Sequence, residues 1–278
     1  FANELCNRFG LDTISTGAAV AFGMEAYEKG LIDREDTGGI ELQWGSAEAL
    51  IEMIKSIAQK KGFGKILGKG VKRASEELGK NSIEFAMHIK GLELPGHDPR
   101  GYNAGAVGFA TSARGACHLS GLSHTFERLL KAPEIGIPEP LDRFQVEGKG
   151  IVAVKSQNFM GMMDSLKLCK FILFAGITIT NIVKWYRDVT GREMTIDEFM
   201  KTGERIFNLK RLYNVRSGIS RKDDTLPFRS LTSKRIGKGL TPNLPPFGQM
   251  LSEYYEYRGW SEEGIPTSEK LKELGLLK

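Results

Sequence analysis

The apolar residues of this chain recur mainly at steps of three and four positions, which is the pattern of amphipathic helices. After Ser46, a plausible helix cap, one such stripe runs along residues 50–58 and is expected to face a core. Five further stretches favour helix over strand by length and composition: 71–78, 151–163, 171–186, 196–215 and 268–274. The β-branched run 177–180 weakens the third of them. The pattern predicts an all-α, predominantly helical fold with little sheet.

Two helix starts carry a capping signature. Thr195 with Glu198 three positions later predicts a helix from Ile196, and Thr267 predicts the start of the last helix. The first residues, 1–6, instead read as a helix already in progress without a capping residue. We therefore expect the polypeptide to be a fragment or a processed product.

The helical pattern breaks at residues 91–101, where two prolines and three glycines interrupt a continuous helix. This break predicts a domain boundary near residue 90 and so two helical domains, 1–90 and 91–278. A second irregular stretch, 223–246, holds four of the ten prolines and is predicted to be a long surface connection.

Composition narrows the function only slightly. The chain has 278 residues, 41% of them hydrophobic, with 39 basic and 34 acidic side chains and a formal charge of +5. A length and hydrophobic content of this kind suffice for a buried core. The small basic excess does not indicate nucleic acid. The densest basic stretch, Lys60–Arg73, is interleaved with glycines and is interpreted either as a solvated face or as a surface for an acidic protein.

The three cysteines, Cys6, Cys117 and Cys169, are odd in number and widely spaced. This spacing is not that of a disulfide-stapled secreted domain, and we expect a reducing cytoplasm. The longest apolar stretch, 171–183, is shorter than the about 20 residues that cross a bilayer, so no membrane association is expected.

Two short segments share a sequence frame. Residues 7–12 read NRFGLD and residues 164–169 read DSLKLC, so that a polar side chain opens each segment and Asp12 or Cys169 closes it. Taken alone, Cys169 would be read as an ordinary core cysteine. The second copy of the frame makes a shared role more plausible.

These segments resemble the two pterin-binding motifs of the aldehyde ferredoxin oxidoreductase family, D-x-x-G-L-D in CNRFGLDTISTG and D-x-x-G-L-C in MMDSLKLCKF. Further family-like stretches follow in the family's order: 93–101, 110–121, 203–218, 223–229 and 258–276. The resemblance covers essentially the whole chain. It implies that 1–90 is the remainder of the family's helical domain 2 and that 91–278 is helical domain 3.

The chain departs from the two motifs at two positions. Asn7 stands where the first motif has Asp, which exchanges an acceptor-only carboxylate for an amide that also donates. Lys167 stands where the second motif has Gly, a residue that permits positive φ and close approach. The exchange at Asn7 affects the pterin contact of the first motif. The exchange at Lys167 affects the loop geometry beside Cys169.

The resemblance implies a role for five residues. Asp12 and Asp164 would accept hydrogen bonds from the two pterins, since an ionised carboxylate is acceptor-only. Leu168 would offer a backbone contact to a pterin, and Cys169 would be the fourth thiolate of a [4Fe–4S] cluster. His118 matches the family's active-site histidine, a proton donor or acceptor.

The other chemistry-bearing side chains point to weaker alternatives. Cys117 beside His118 suggests zinc, but no metal-ligand spacing supports it, and without the family match a structural histidine would be favoured. His97 is assigned either to the substrate entrance or to loop hydrogen bonding. No sequence pattern supports a role for His88 or His124. Cys6 is predicted to be a buried thiol.

In the family, three cluster cysteines and an active-site glutamate lie upstream of the first motif, and neither occurs here. A tungsten bis-pterin and a [4Fe–4S] cluster are therefore expected only in the full-length protein, and the fragment is expected to be inactive alone. The implied parent enzyme oxidises a small-molecule aldehyde to a carboxylic acid and passes electrons to ferredoxin in the cytoplasm. Its partners would be ferredoxin and the missing N-terminal region, with a homodimer left open and no nucleic acid.

Two other functions stay open at this point. A family relative would run a different two-electron reaction on the same scaffold, such as aromatic acyl-CoA reduction. A non-catalytic helical binding module is the alternative from another class, and the missing cluster cysteines favour it.

Overall fold

The computed structural model describes residues 1–237 and 242–277, and these residues are predominantly helical, as the apolar pattern predicts. Their contacts divide into two compact units. The first contains 1–98, 114–116 and 226–233; the second contains 99–113, 117–225 and the described residues from 234 on. The first unit thus takes in two stretches that lie beyond residue 98 in the sequence. That 1–90 and 91–278 correspond to two domains of a family stays a prediction.

The elements of the described residues are these, numbered along the chain. The α-helices are α1 (Ala2–Phe9), α2 (Thr13–Glu28), α3 (Ala47–Gln59), α4 (Gly62–Leu67), α5 (Val71–Leu78), α6 (Asn103–Thr111), α7 (Lys149–Ser165), α8 (Ile179–Thr190), α9 (Ile196–Arg216), α10 (Phe228–Thr232), α11 (Phe247–Arg258) and α12 (Ser268–Glu273). The strands are β1 (His88–Ile89) and β2 (Leu92–Glu93), and the 3₁₀ turns are Ser82–Phe85, Pro99–Gly101, His118–Ser120, Ser123–Thr125, Pro133–Ile135, Lys170–Ala175 and Arg221–Asp223.

The first unit buries one face of each of the helices α2 to α5 in a common core. Its most buried members include Val20, Met53 and Leu67, each at most 1% exposed. Strands β1 and β2 pair antiparallel within the stretch where the sequence predicts a break in the helices. From β2 the buried Glu93 side chain accepts the Val71 N–H at 2.7 Å, so a strand residue caps the start of α5.

The second unit is built around α7, which is held on two sides by main-chain contacts at glycines. A Cβ on Gly203 of α9 would lie 2.0 Å from the carbonyl oxygen of Asn158, and one on Gly150 would lie 2.5 Å from the Tyr254 nitrogen of α11. Only glycine allows backbones to approach so closely. Since α7 ends at Ser165, these contacts fix the helix whose last two residues begin the segment 164–169.

A buried cation strengthens the packing of α11 on α7. Arg258 is 0% exposed, and its guanidinium donates to the Gln157 side-chain oxygen at 2.9 Å while its Cζ lies 4.3 Å from the ring centre of Phe207. Tyr254 donates to the same Gln157 oxygen at 2.7 Å. Neutral acceptors and aromatic faces thus compensate the desolvation of this charge.

The predicted helix starts at Ser46, Thr195 and Thr267 are confirmed, because each side chain accepts a backbone N–H of the first turn. The predicted helix 171–186 is wrong. The 3₁₀ turn Lys170–Ala175 is closed by Gly176, whose φ of 82° stops a helix, and Thr178 opens α8 with a capping box of its own. The weak point that the sequence indicated at 177–180 is therefore a real helix boundary.

Candidate functional site

The segment 7–12 forms a tight turn between α1 and α2. Gly10 has a φ of 69°, its N–H donates to the Asn7 carbonyl at 3.3 Å, and the Leu11 N–H donates to the Cys6 carbonyl at 2.8 Å. This pair of bonds is a Schellman motif, which ends a helix through one left-handed residue. Asp12 follows as the N-cap of α2, with φ −64° and ψ 125°.

The segment 164–169 forms the same turn at the end of α7. The Lys167 N–H donates to the Asp164 carbonyl at 3.2 Å, and the Leu168 N–H donates to the Met163 carbonyl at 3.0 Å. Cys169 then has φ −67° and ψ 123° and begins the next turn, Lys170–Ala175. The two sequence copies therefore have equivalent backbones, and Cys169 occupies the position that Asp12 has in the first.

Lys167 takes the conformation that glycine has in the first copy. Its φ is 59°, against 69° for Gly10, so the left-handed residue of the Schellman motif is retained. For a residue with a Cβ this conformation costs roughly 1–2 kcal/mol. Replacement of glycine by lysine therefore leaves the hydrogen bonds of the turn in place and adds strain and an exposed cation.

The two carboxylates and the thiol of these turns reach the surface. The Asp12 side chain is exposed, and one of its oxygens accepts the Ser15 N–H at 2.7 Å. The Asp164 side chain is 50% exposed, with one oxygen 2.8 Å from the Lys170 ammonium. Cys169 is exposed as well. Each carboxylate is thus oriented by one protein contact through a single oxygen.

His118 lies in the second unit on the 3₁₀ turn His118–Ser120 and is half-buried. Its carbonyl accepts the Leu122 N–H at 2.9 Å, and the Ser120 N–H donates to the Cys117 carbonyl at 3.3 Å. The ring of His118 faces the ring of His124, with 5.9 Å between their centres. His118 therefore has a buried ring on one side and is itself partly exposed.

His124 and Tyr102 are the residues that the sequence did not single out. His124 is 3% exposed, and its ring centre lies 6.0 Å from that of Tyr102 in an edge-on arrangement. Gly105 of α6 permits this packing, because a Cβ there would lie 3.0 Å from the Cβ of His124. The three rings form a row with the buried His124 in the middle and the half-buried His118 and Tyr102 at its ends. The small residue at 105 was the one sequence signal for this contact.

A lysine joins the second motif to the His118 turn. Lys170, whose side chain is 11% exposed, contacts the Asp164 carboxylate at 2.8 Å and also donates to the main-chain carbonyl of Leu119. Leu119 directly follows His118. Of the predicted site residues, the second unit therefore brings together Asp164, Cys169 and the His118 turn. Asp12 belongs to the first unit.

Among the groups with a shifted pKa are a glutamate at the start of α6 and a histidine of the first unit. Burial raises the pKa of Glu127, although Lys149 at 2.8 Å and the N–H groups of Ala104 and Gly105 lower it. Glu127 caps α6, the helix against which His124 packs. In the first unit, burial and the nearby Lys72 lower the pKa of His88. Neither group is part of the two motifs.

The other predicted features have these places. Cys6 is buried, as the sequence predicts, Cys117 is half-buried, and His97 is half-buried in its loop. The basic side chains between Lys60 and Arg73 are exposed, and two of them form ion pairs with Glu76 and Glu77. Part of the stretch 223–246 forms α10, and its residues 238–241 lie outside the described part.

A cavity of about 710 Å³ lies beside the turn that follows Cys169. It is mainly apolar, with Phe126, Phe159 and Phe174 in its wall. His118 and Asp164 are not among the residues that line it. We therefore do not assign this cavity to the chemistry of the two motifs.

Within residues 1–237 and 242–277, no three side chains of the metal-binding types come together as a metal site. In the same part of the chain, none of the helices combines the length and the apolar character that a membrane span needs.

The sequence profile of the aldehyde ferredoxin oxidoreductase family, domains 2 and 3, matches residues 1–276. The chain belongs to this family. It is 38% identical over 282 residues to the tungsten-containing aldehyde ferredoxin oxidoreductase of Pyrococcus furiosus, with 99% of this chain and 44% of that protein covered. Its identity to the protein of the same name from Thermococcus kodakarensis is 35%, with the same coverage of 99% and 44%.

The family contains relatives with other names. The chain is 30% identical to the aliphatic sulfonate oxidoreductase, WOR-like subunit, of Pyrococcus furiosus, over 99% of this chain and 42% of that protein. It also shares its fold with a chain of the active site complex BamBC of benzoyl coenzyme A reductase, solved with 1,5-dienoyl-CoA. The TM-score is 0.70 at 23% identity, covering 96% of this chain and 44% of the other.

The chain spans less than half the length of the curated relatives that it matches. The family and the helical fold class that the sequence predicts are thus confirmed. The residue roles implied by the two motifs stay predictions.

Proposed function

We propose that this chain is the part of a tungsten-pterin, iron–sulfur aldehyde:ferredoxin oxidoreductase that supplies one side of both redox centres. The observation that carries the proposal is the pair of equivalent turns, one closed by Asp12 and the other by Cys169. The similarity to tungsten-containing relatives over 99% of the chain supports it.

The hydrogen-bond acceptors of the turns fit a pterin. Pterins present amino and ring N–H groups, and the second oxygen of an exposed carboxylate such as Asp12 or Asp164 suits them. The Leu168 N–H is already bonded to the Met163 carbonyl, so a backbone contact from Leu168 would use its carbonyl oxygen. These residues hold and orient a cofactor.

The thiols fit one ligand position of a [4Fe–4S] cluster, which takes four thiolates. Cys169 is exposed at a turn, whereas Cys6 is buried in the first unit and Cys117 is half-buried beside His118. Cys169 is therefore the cluster ligand that we assign. The other three thiolates would come from outside residues 1–278.

When bound, a tungsten-pterin and a [4Fe–4S] cluster would supply the two-electron oxidation of the aldehyde and the single-electron transfer to ferredoxin. His118 would hold or accept the proton that the reaction moves, at an imidazole nitrogen whose ordinary pKa lies near neutrality. The row of rings behind it, His124 and Tyr102, limits the rotation of its side chain.

A substrate panel on the protein produced from its complete gene tests the proposal. Aliphatic and aromatic aldehydes are offered with oxidised ferredoxin, in parallel with an aliphatic sulfonate and, with reduced ferredoxin, an aromatic acyl-CoA. We expect aldehyde-dependent ferredoxin reduction with the highest kcat/KM. Turnover of the sulfonate or the thioester instead would assign the chain to another reaction of the family, and no turnover with a loaded enzyme would favour the binding module.

A further inference from the structure

We propose that Lys170 is a positioning residue that couples the second motif to the His118 turn. The ammonium of Lys170 contacts two groups that are far apart in the sequence, the Asp164 carboxylate at 2.8 Å and the Leu119 carbonyl. One is the carboxylate that we assign to a cofactor, and the other lies next to the residue that we assign to proton transfer. The functional half of this inference rests on the proposed function.

The burial of Lys170 separates it from the other lysines of this region. Its side chain is 11% exposed, whereas Lys167 in the same turn and Lys184 on α8 are exposed. Exposed ion pairs contribute little to the stability of a fold. An ammonium that is shielded from water and bonded to both a carboxylate and a carbonyl forms stronger, charge-assisted hydrogen bonds. A long side chain held in one place in this way is a structural link between two segments.

The His118 turn depends on this link from one side. On the other side it is fixed by the buried ring of His124 and by the bond from the Leu122 N–H to the His118 carbonyl. The Lys170 contact fixes Leu119, between these two points. Any rearrangement of the Asp164 turn would therefore move the ammonium and, through Leu119, the backbone that carries His118.

Hydrogen exchange of the amides of residues 118–122, followed by mass spectrometry, tests the structural half. The variants are Lys170→Met, Lys170→Arg and the matched control Lys184→Met, all in the protein produced from its complete gene. We expect roughly tenfold faster exchange in Lys170→Met, the effect of losing one charge-assisted bond, with wild-type rates in the control. Lys170→Arg should restore most of the protection, because it keeps the charge and the donors.

A second reporter is the rate at which diethyl pyrocarbonate modifies His118. It should rise in Lys170→Met and stay unchanged in Lys184→Met. Unchanged exchange and unchanged modification in Lys170→Met would overturn the proposal, as would a failure of Lys170→Arg to restore them. If Lys170→Met does not fold, Lys170→Gln, which keeps an uncharged donor, takes its place and is judged by the same criteria.

Kinetics of the loaded enzyme test the functional half. Lys170→Met should lower kcat for aldehydes about tenfold with little change in KM, and it should add nothing in a His118→Asn background, since both act through one side chain. Full additivity of the two changes would overturn the coupling. If the wild-type enzyme does not oxidise aldehydes, the proposed function fails, while the exchange experiment still decides the role of Lys170.

Discussion

His118 is the residue to which the proposed chemistry assigns a proton. Its ring is oriented by His124 but is only half-buried, so His118→Asn should leave the packing largely intact while removing the acid–base group. We expect kcat for aldehydes to fall by roughly 10²- to 10⁴-fold with tungsten, iron and melting temperature unchanged. Lost metal or a lower melting temperature at full activity per folded molecule would make His118 a structural residue.

Lys167 tests the strain in the second turn. Lys167→Gly relieves the left-handed conformation at φ 59° but makes the unfolded chain more flexible, for a net gain of roughly 0.5–1 kcal/mol in the free energy of unfolding. Lys65→Gly, an exposed lysine inside α4, is the matched control and should lose about 1 kcal/mol. Urea titration measures both. Equal losses in the two variants would show that Lys167 is not strained.

At the residue scale the sequence identified the two motifs but missed their surroundings. A short pattern predicts Asp12, Asp164 and Cys169, since each is defined by near neighbours in the chain. The contacts of Lys170 with Leu119 and of His124 with His118 depend on how separate turns pack together. Spacing along a sequence carries no such information, so these residues became visible only in the structure.

At the element scale, helix starts separate into two kinds. Local caps at Ser46, Thr195 and Thr267 are legible in the sequence, because the capping group lies next to the helix. The starts of α5, α6 and α7 have no side-chain cap of their own and are closed by glutamates from elsewhere in the fold: Glu93, Glu127 and Glu253. Remote caps of this kind, together with low amphipathicity, are why α6 was not predicted.

Glu253 is the clearest of these remote caps. Its two oxygens accept the Gly148 and Gly150 N–H groups, each at 2.7 Å, at the start of α7. Glu253→Ala leaves both donors without a partner and removes a favourable charge from the helix N-terminus, so it should cost about 1–2 kcal/mol. Glu256→Ala, an exposed glutamate of the same helix, should change stability by less than about 0.5 kcal/mol. Indistinguishable denaturation midpoints for the two variants would contradict the capping role.

We expect Glu127 to give the fold a pH dependence. Because burial raises its pKa above the ordinary 4.5, the folded state holds more protons than the unfolded state between 4.5 and the raised value. The contribution of Glu127 to the unfolding free energy therefore falls as pH rises through that window. Glu127→Gln stays neutral and should show a flatter dependence in urea titrations from about pH 4 to about pH 7. Parallel curves for the two proteins would show that the pKa is not raised.

At the scale of the whole molecule, the helical class follows from apolar periodicity alone, whereas the division into units does not. The first unit takes in 226–233, which is distant in sequence, through the pair of Arg229 with Glu25. The proposed chemistry also exceeds this chain, which offers one exposed thiol to a cluster of four thiolates. Whether Cys169 completes that cluster therefore decides the proposed function.

The most direct measurement is the iron content and the EPR spectrum of the reduced protein, produced from its complete gene, as wild type, Cys169→Ser and the control Cys117→Ser. We predict about four irons and about one tungsten per chain in the wild type and the control. In Cys169→Ser we predict loss or strong alteration of the cluster signal, with the helical circular dichroism retained. An unchanged cluster spectrum and normal electron transfer to ferredoxin in Cys169→Ser would contradict the account.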